Sequence, residues 1–308
     1  MKIKIIGIVI LASFQIIAFT AGVKAKQLTV IATTAELGSI AEFVGGDFVK
    51  VTHLTDGRDY PHAVVPRPSW ITKVRKADMI IINGMDMDMW AASLIEASRN
   101  PALFYEADGY LDISKSIPER LEVPTTPKID MSMGDVHPQG NPHYMLDPLN
   151  AKLAARAISD RMAYLLPEKR EYFEANAQQF NARIDEKMQE WNEKVHRIPN
   201  KKLVTYHKLW AYFANRFGLE IVAELEPKPG IPPSVRHLQD VISIIGKERP
   251  RIILMASYFD DKPAQFVAER TGVKVVEVPV SLYAEKHVTN YFELIDHIVE
   301  QLLLGAGE

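Results

Sequence analysis

The sequence predicts an α/β protein of two lobes, each a mostly parallel sheet flanked by helices, joined by one long helix. Three observations predict it. Short β-forming runs alternate with helical stretches in both halves of the chain, as in consecutive βαβ units. Between the halves, Phe180, Ile184, Met188, Trp191 and Val195 recur at spacings of four and three, the apolar stripe of one helix face. A length of 308 residues, 47% apolar and 24% charged, suffices for two domains with real cores.

In the first half, Gln27–Thr33 reads as a buried strand, Glu36–Val44 as a helix ended by Gly45-Gly46, and Val49–Leu54 as a second strand. Trp70–Lys76 is helical, Met79–Asn83 is a third strand closed by Gly84, and Trp90–Ser98 is a further helix. From 114 to 141 the periodicity fades among Pro118, Pro124, Pro127, Pro138, Gly134 and Gly140, which marks a long surface loop. Loops of that length in a compact protein are commonly lids or binding loops.

Helical periodicity returns from Asn150 to Val195, broken at Pro167 and ended by Pro199. The later part, about 28 residues at 1.5 Å each, would span about 42 Å, which suits a bridge between lobes. The second half then repeats the alternation. Strands are expected at Lys202–Tyr206, Glu220–Glu224, Arg251–Met255 and Val273–Val278. Helices are expected at Leu209–Phe217, Val235–Lys247 with Ser234 as N-cap, Pro263–Thr271 and Asn290–Leu304. The expected division is a leader over 1–25, an N-terminal lobe over 26–165 that includes the 114–141 loop, a bridging helix over 166–198 and a C-terminal lobe over 199–308.

Composition narrows the function. Lys2 and Lys4, an apolar run from Ile5 to Phe19, and Val23-Lys24-Ala25 have the form of a cleavable secretory signal peptide. The run is short for a membrane span. The formal net charge is −3, and the leader carries three lysines and no acid, so the exported remainder is more acidic still. An acidic chain lacks the concentrated basic face that nucleic acid requires. There is no cysteine, which removes disulfides, thiolate sites, a cysteine nucleophile and a lipidated cysteine after the leader. An exported, unanchored chain is retained only behind an outer membrane, so the expected compartment is the periplasm.

Of nine histidines, three stand where open α/β sheets place ligands, near the carboxyl ends of strands or at the return of the long loop. His62 follows Tyr60-Pro61, His143 lies in Asn141-Pro142-His143, and His207 follows the strand Leu203–Tyr206. Converging imidazoles suit zinc, copper, iron or nickel, although a spacing this wide is not a compact metal motif. His53, His196, His237, His287 and His297 read as structural or solvated. So do Met85, Met87 and Met89, whose alternation could otherwise suggest a thioether site. Gly-x-Gly-x-x-Gly, a phosphate loop, Gly-x-Ser-x-Gly and His-Glu-x-x-His are absent from the sequence.

Several segments in order resemble the metal-binding solute-binding proteins of zinc and manganese ATP-binding-cassette importers, the TroA-like group or cluster A-I. They are Tyr60-Pro61-His62 with Pro68-Ser69, Lys76-Ala77-Asp78, Asn83-Gly84-Met85, Asn141-Pro142-His143 through Leu146-Asp147-Pro148-Leu149-Asn150-Ala151, Val204-Thr205-Tyr206-His207, and Pro229–Ser234 with Arg236-His237-Leu238. The resemblance covers essentially the whole exported chain. It implies two α/β lobes on a rigid backbone helix with metal held between them, and its first three ligands fall on His62, His143 and His207. It further implies a non-enzymatic monomer that delivers zinc, as cargo, to an importer's membrane permease, with a metallochaperone as a further partner. Manganese is the less expected cargo, iron an alternative.

The family's fourth ligand has no clean counterpart. Its usual aspartate stretch here reads Glu277-Val278-Pro279-Val280-Ser281-Leu282, and Met255-Ala256-Ser257-Tyr258 carries no acid either. The alternatives are a water on three histidines or a shifted carboxylate, for which Asp260 is the choice over Asp261 and Glu277. His137, in the long loop between Asp130 or Asp135 and Pro138, is an auxiliary metal-gathering or lid residue in one reading and a solvated histidine in the other. Two rival functions remain: a three-histidine zinc hydrolase, for which Glu224 and Glu226 are the imaginable bases, and a surface adhesin, which the missing lipidation cysteine disfavours.

Overall fold

The computed structural model describes residues 26–125 and 134–307. The leader expected over 1–25, and Asp130, lie outside the described residues. Two four-stranded sheets, all parallel, form the framework. The first contains β1 (Leu28–Ala32), β2 (Val49–His53), β3 (Met79–Ile82) and β4 (Tyr110–Asp112) in the order β2-β1-β3-β4. The second contains β5 (Lys202–Thr205), β6 (Glu220–Glu224), β7 (Ile252–Ala256) and β8 (Lys274–Val278) in the order β6-β5-β7-β8. Both halves therefore repeat one topology.

Strands buried on both faces split their side chains by the two-residue alternation of the pleat. In the first sheet Val30, Ala32, Met79 and Ile81 face a large central core, while Ile31, Ile80 and Ile82 face α2 (Pro68–Arg75) and α3 (Trp90–Ser98) through Trp70, Val74, Leu94 and Ile95. The second sheet does the same. Leu203, Ile252 and Leu254 join the central core; Val204, Ile253 and Met255 pack on Leu238, Val241 and Val267 of α7 (Val235–Glu248) and α8 (Lys262–Thr271).

The central core is common to both halves because helices pass through it. These are α1 (Ala35–Gly45), α4 (Pro148–Leu165), α5 (Arg170–His196) and α9 (Tyr291–Ala306). Pro167 separates α4 from α5 as the sequence predicts, and the 27 residues of α5 give a rod of about 40 Å. Phe180, Ile184, Trp191 and Val195 of its stripe are buried and Met188 packs at the edge. Trp191 also donates from Nε1 to Asp296 on α9 at 2.8 Å. A second tie crosses the halves: Arg216 of α6 (Ala211–Phe217) holds the buried Asp147, N-cap of α4, through two bonds of 2.7 and 2.8 Å.

Local punctuation behaves as chemistry dictates. Ser234 caps α7 by accepting from His237 N, and Gly218 and Gly272 end α6 and α8 in the left-handed region. Gly84, at φ +79°, permits close approach, since a Cβ there would lie 2.1 Å from Asp112 Oδ1. The strand β4 is not expected from sequence. It has three residues at a sheet edge and is recruited by pairing with β3. Met85 and Met87 are buried while Met89 is exposed.

Candidate metal site

His62, His143 and His207 meet in the cleft between the two sheets, each offering a ring nitrogen such that all three lie within 4.8 Å of one another. Among the described residues this is the one group of three or more potential ligands so close together. Each arrives on a different piece of local structure. His62 sits in a short 3-10 turn, Pro61–Ala63, whose leading proline suits the first helical position. Trp90 Nε1 fixes that turn by donating to Pro61 O at 3.1 Å. His143 precedes the turn into α4, and His207 comes two residues after β5, the central strand from which the chain goes to β6 on one side and β7 on the other. Ligand sites of open parallel sheets lie at such divergence points.

The hydrogen bonds around the rings set which nitrogen faces the cleft. Asn141 donates its amide nitrogen to Glu122 Oε2 and Lys208 O, both at 2.7 Å, so its Oδ1 is the acceptor. That oxygen receives His143 N and His143 Nδ1, each at 2.9 Å. His207 Nδ1 donates to Glu226 Oε2 at 2.6 Å, and the same oxygen accepts Gly230 N at 2.8 Å. With Nδ1 carrying the proton, Nε2 of both rings presents a lone pair. His62 Nε2 lies 3.1 Å from His143 Nε2.

His143 and His207 are 6% and 1% exposed. Burial, with the neighbouring imidazoles second, holds the His62 ring down to about 3 and the His143 ring well below the usual histidine range. A charged imidazole loses hydration when buried and is repelled by like charges beside it. Those two rings therefore stay neutral at physiological pH, the form in which histidine ligates metal.

Tyr60 covers the group from one side. Its ring centroid is 5.2 Å from that of His62 and 6.2 Å from that of His207, and its hydroxyl donates to Asp135 Oδ2 at 2.5 Å. Phe259, stacked on Tyr206 at 4.6 Å, lies 5.5 Å from His207. A small cavity of about 100 Å3 opens onto His137, His143 and His207. A larger one, about 550 Å3, lies beside Met89, Phe104 and Tyr105 and is lined by none of the histidines.

Asp260, the side chain chosen from sequence as a fourth ligand, lies apart from the three histidines in this structure: its side chain is 60% exposed, faces Lys262 Nζ at 3.8 Å, and accepts Lys262 N at the start of α8. A carboxylate at a helix N-terminus is satisfied there by backbone donors, and this local bond wins over the cleft. Asp261 and Glu277 are exposed as well. His137 does approach, with its ring centroid 4.9 Å from that of His62. The remaining histidines are elsewhere: His53 stacks on Tyr283, His237 bonds Glu224 O, and His287 pairs with His297.

Sequence reasoning missed what Asn141 and Glu226 do. Glu226 is imagined there as a base, whereas its buried carboxylate braces a histidine. Ordering of ligand rings by such partners is general to metal sites. The available signal was positional: Asn141 stands two residues before His143, and Glu226 follows the strand that pairs with the one leading to His207.

The comparisons with known proteins agree with this architecture. The family described as "ZnuA: Zinc-uptake complex component A periplasmic" matches residues 30–304. The iron-binding protein YfeA of Yersinia pestis is 28% identical over 293 residues, covering 92% of this chain and 88% of YfeA. The metal ABC transporter substrate-binding lipoprotein SloC of Streptococcus mutans is 26% identical over 288 residues, covering 89% and 88%. A crystal structure of ZnuA superposes with a TM-score of 0.76 at 20% identity, covering 91% of this chain and all of that one. From the match over nearly its whole length, the chain belongs to the ZnuA family of extracytoplasmic, metal-binding substrate-binding proteins of ATP-binding-cassette importers.

Proposed function

We propose that this chain captures zinc in the periplasm and hands it to the membrane permease of its importer. His62, His143 and His207 are the ligands, and the two halves, 26–165 and 199–308, grip the ion across the helix at 166–198. One observation carries the reading: three imidazoles converge, two of them with Nδ1 committed to Asn141 and Glu226, so that lone pairs face a common point. Zinc favours nitrogen donors at about 2.0–2.1 Å, whereas manganese prefers more oxygen. The name of YfeA makes iron the competing cargo.

The transport reading is favoured over hydrolysis because Glu226, the imagined base, is occupied by His207 Nδ1 and Gly230 N. The leader-like N-terminus and the lack of cysteine favour a cleaved, lipid-free periplasmic form. Among the described residues no helix is long and apolar enough to cross a membrane.

Calorimetric titration of metal-stripped protein with zinc, manganese and iron(II), with metal content checked by elemental analysis, tests the assignment. One zinc bound more tightly than either rival supports it. Tighter manganese or iron replaces the cargo, and turnover of an ester by the zinc-loaded protein replaces the function.

A further inference from the structure

We propose that His287 and His297 form a second, weaker metal site on the surface of the second half, where a divalent ion that favours imidazole nitrogen clasps the loop between β8 and α9 onto α9. Neither residue belongs to the cleft group of His62, His143 and His207, and the inference does not depend on what the cleft binds.

The geometry is that of a chelating pair. His287 Nε2 and His297 Nδ1 face each other at 3.0 Å, with ring centroids 4.9 Å apart and planes inclined by 64°. Two imidazole nitrogens on one zinc lie about 3.3 Å apart at the tetrahedral angle, so the rings need to part by only about 0.3 Å. Without an ion, one of the facing nitrogens must carry the proton that joins the pair. The outer nitrogens, His287 Nδ1 and His297 Nε2, bond no protein atom among the described residues. The shared proton can therefore pass through water to an outer nitrogen, which leaves two lone pairs aimed at one point and releases no net proton. Burial, with the His287 ring second, holds the His297 ring below the usual histidine range, while Glu285 and Glu300 place negative charge beside it. Glu300 is shared with Lys194 at 3.3 Å. A neutral imidazole in a negative field is the form that binds a cation. Among the described residues no third ligand atom joins the pair within 4.8 Å, so water completes the shell and leaves the site open to exchange. Imidazole donors suit zinc, copper and nickel better than manganese.

The loop that carries His287 is the one by which the second half meets the first. Within it, Tyr283 N donates to Val288 O at 2.9 Å and Val288 N to Glu285 O at 3.1 Å, and Thr289 donates from N and Oγ1 to Glu293 Oε2, each at 2.8 Å. Tyr283 sits at φ +67°, a conformation that a bulky residue keeps only where its surroundings hold it. Across to the first half, Leu282 O accepts Gly57 N at 2.7 Å, Ser281 Oγ donates to Glu36, and Tyr283 stacks on His53. An ion bound by His287 and His297 thus pins the far end of this contact loop to the helix behind it.

The experiment titrates zinc, at neutral pH, into protein already loaded with one equivalent, comparing wild type, His287→Ala and His297→Gln after circular dichroism has shown each to be folded. His287 is exposed, so its removal leaves the core intact. Calorimetry reads the affinity, the side-chain nitrogen shifts of both rings report the ligands, and amide exchange reports the loop. The expected result is a second, weaker equivalent in wild type that shifts both rings and slows exchange at Tyr283 and Val288. Both variants should lose it and keep the tight equivalent unchanged. No second equivalent in wild type, or one undiminished in His287→Ala, would overturn the site. Zinc bound by both rings without slower exchange in the loop would overturn the clasp.

Discussion

The two halves share a strand order but hold their histidines differently. In the second half His207 stands two residues beyond a central strand, and its Nδ1 is clamped by a buried glutamate that is 7% exposed. In the first half His62 rides a proline-led turn well beyond the edge strand β2, held by its backbone through Trp90, with no hydrogen bond to Nδ1 among the described residues. His143, at the return of the long loop, is clamped like His207, by Asn141. On the proposed ligand assignment, two nitrogens are pre-set by hydrogen-bonded partners and the third is held through the backbone of its turn; pre-set ligands lower the ordering cost of capture.

The largest effect should come from the clamped ligands themselves. His143→Ala or His207→Ala should lower zinc affinity by more than about 100-fold, beyond the loss expected for an outer-shell partner, with near-native circular dichroism. Equal tolerance of both changes would erase the comparison. Next come the clamps. Glu226→Ala and Asn141→Ala should each cost about 10–100-fold in affinity, measured by chelator competition, while leaving zinc bound one to one. A loss no greater than that of a surface substitution would mean that the clamps do not pre-set the rings.

The unclamped side is sharpened by pH. Burial lowers the His62 ring from 6.5 to about 3 in the folded chain. Between those values the unfolded chain binds a proton that the folded chain refuses, so stability falls as pH falls. Metal-stripped protein should lose stability between about pH 6.5 and 3, and His62→Gln should flatten part of that slope in urea titrations. An identical slope in the variant would show that His62 does not titrate in this way. The smallest effect belongs to Asp260. Its exposed pair with Lys262 is worth at most about 1 kcal/mol, and Asp260→Ala should leave zinc affinity within about twofold. A large loss would return it to the site.

Much of this was legible in the sequence because the signals were local. The stripe from Phe180 to Val195, the break at Pro167, the Ser234 cap and the alternation of apolar strands each follow from side-chain periodicity or turn chemistry. His62, His143 and His207 stood out by their place at strand ends and at the loop's return. What was not legible depends on partners distant in sequence. The strand β4 exists only as an edge beside β3. Asp260, which sequence proximity suggested as a ligand, is turned outward by its own helix. The approach of His137 depends on how Asp135 bridges Tyr60 and Pro229, residues 75 and 94 positions away on either side. Loop registration of that kind has no periodic signature.

The most direct measurement is a zinc titration, by calorimetry, of metal-stripped protein and of the triple variant His62→Ala/His143→Ala/His207→Ala. The account predicts one tightly bound zinc in the first and no tight binding in a folded second. Tight one-to-one binding that survives in the triple variant would contradict it.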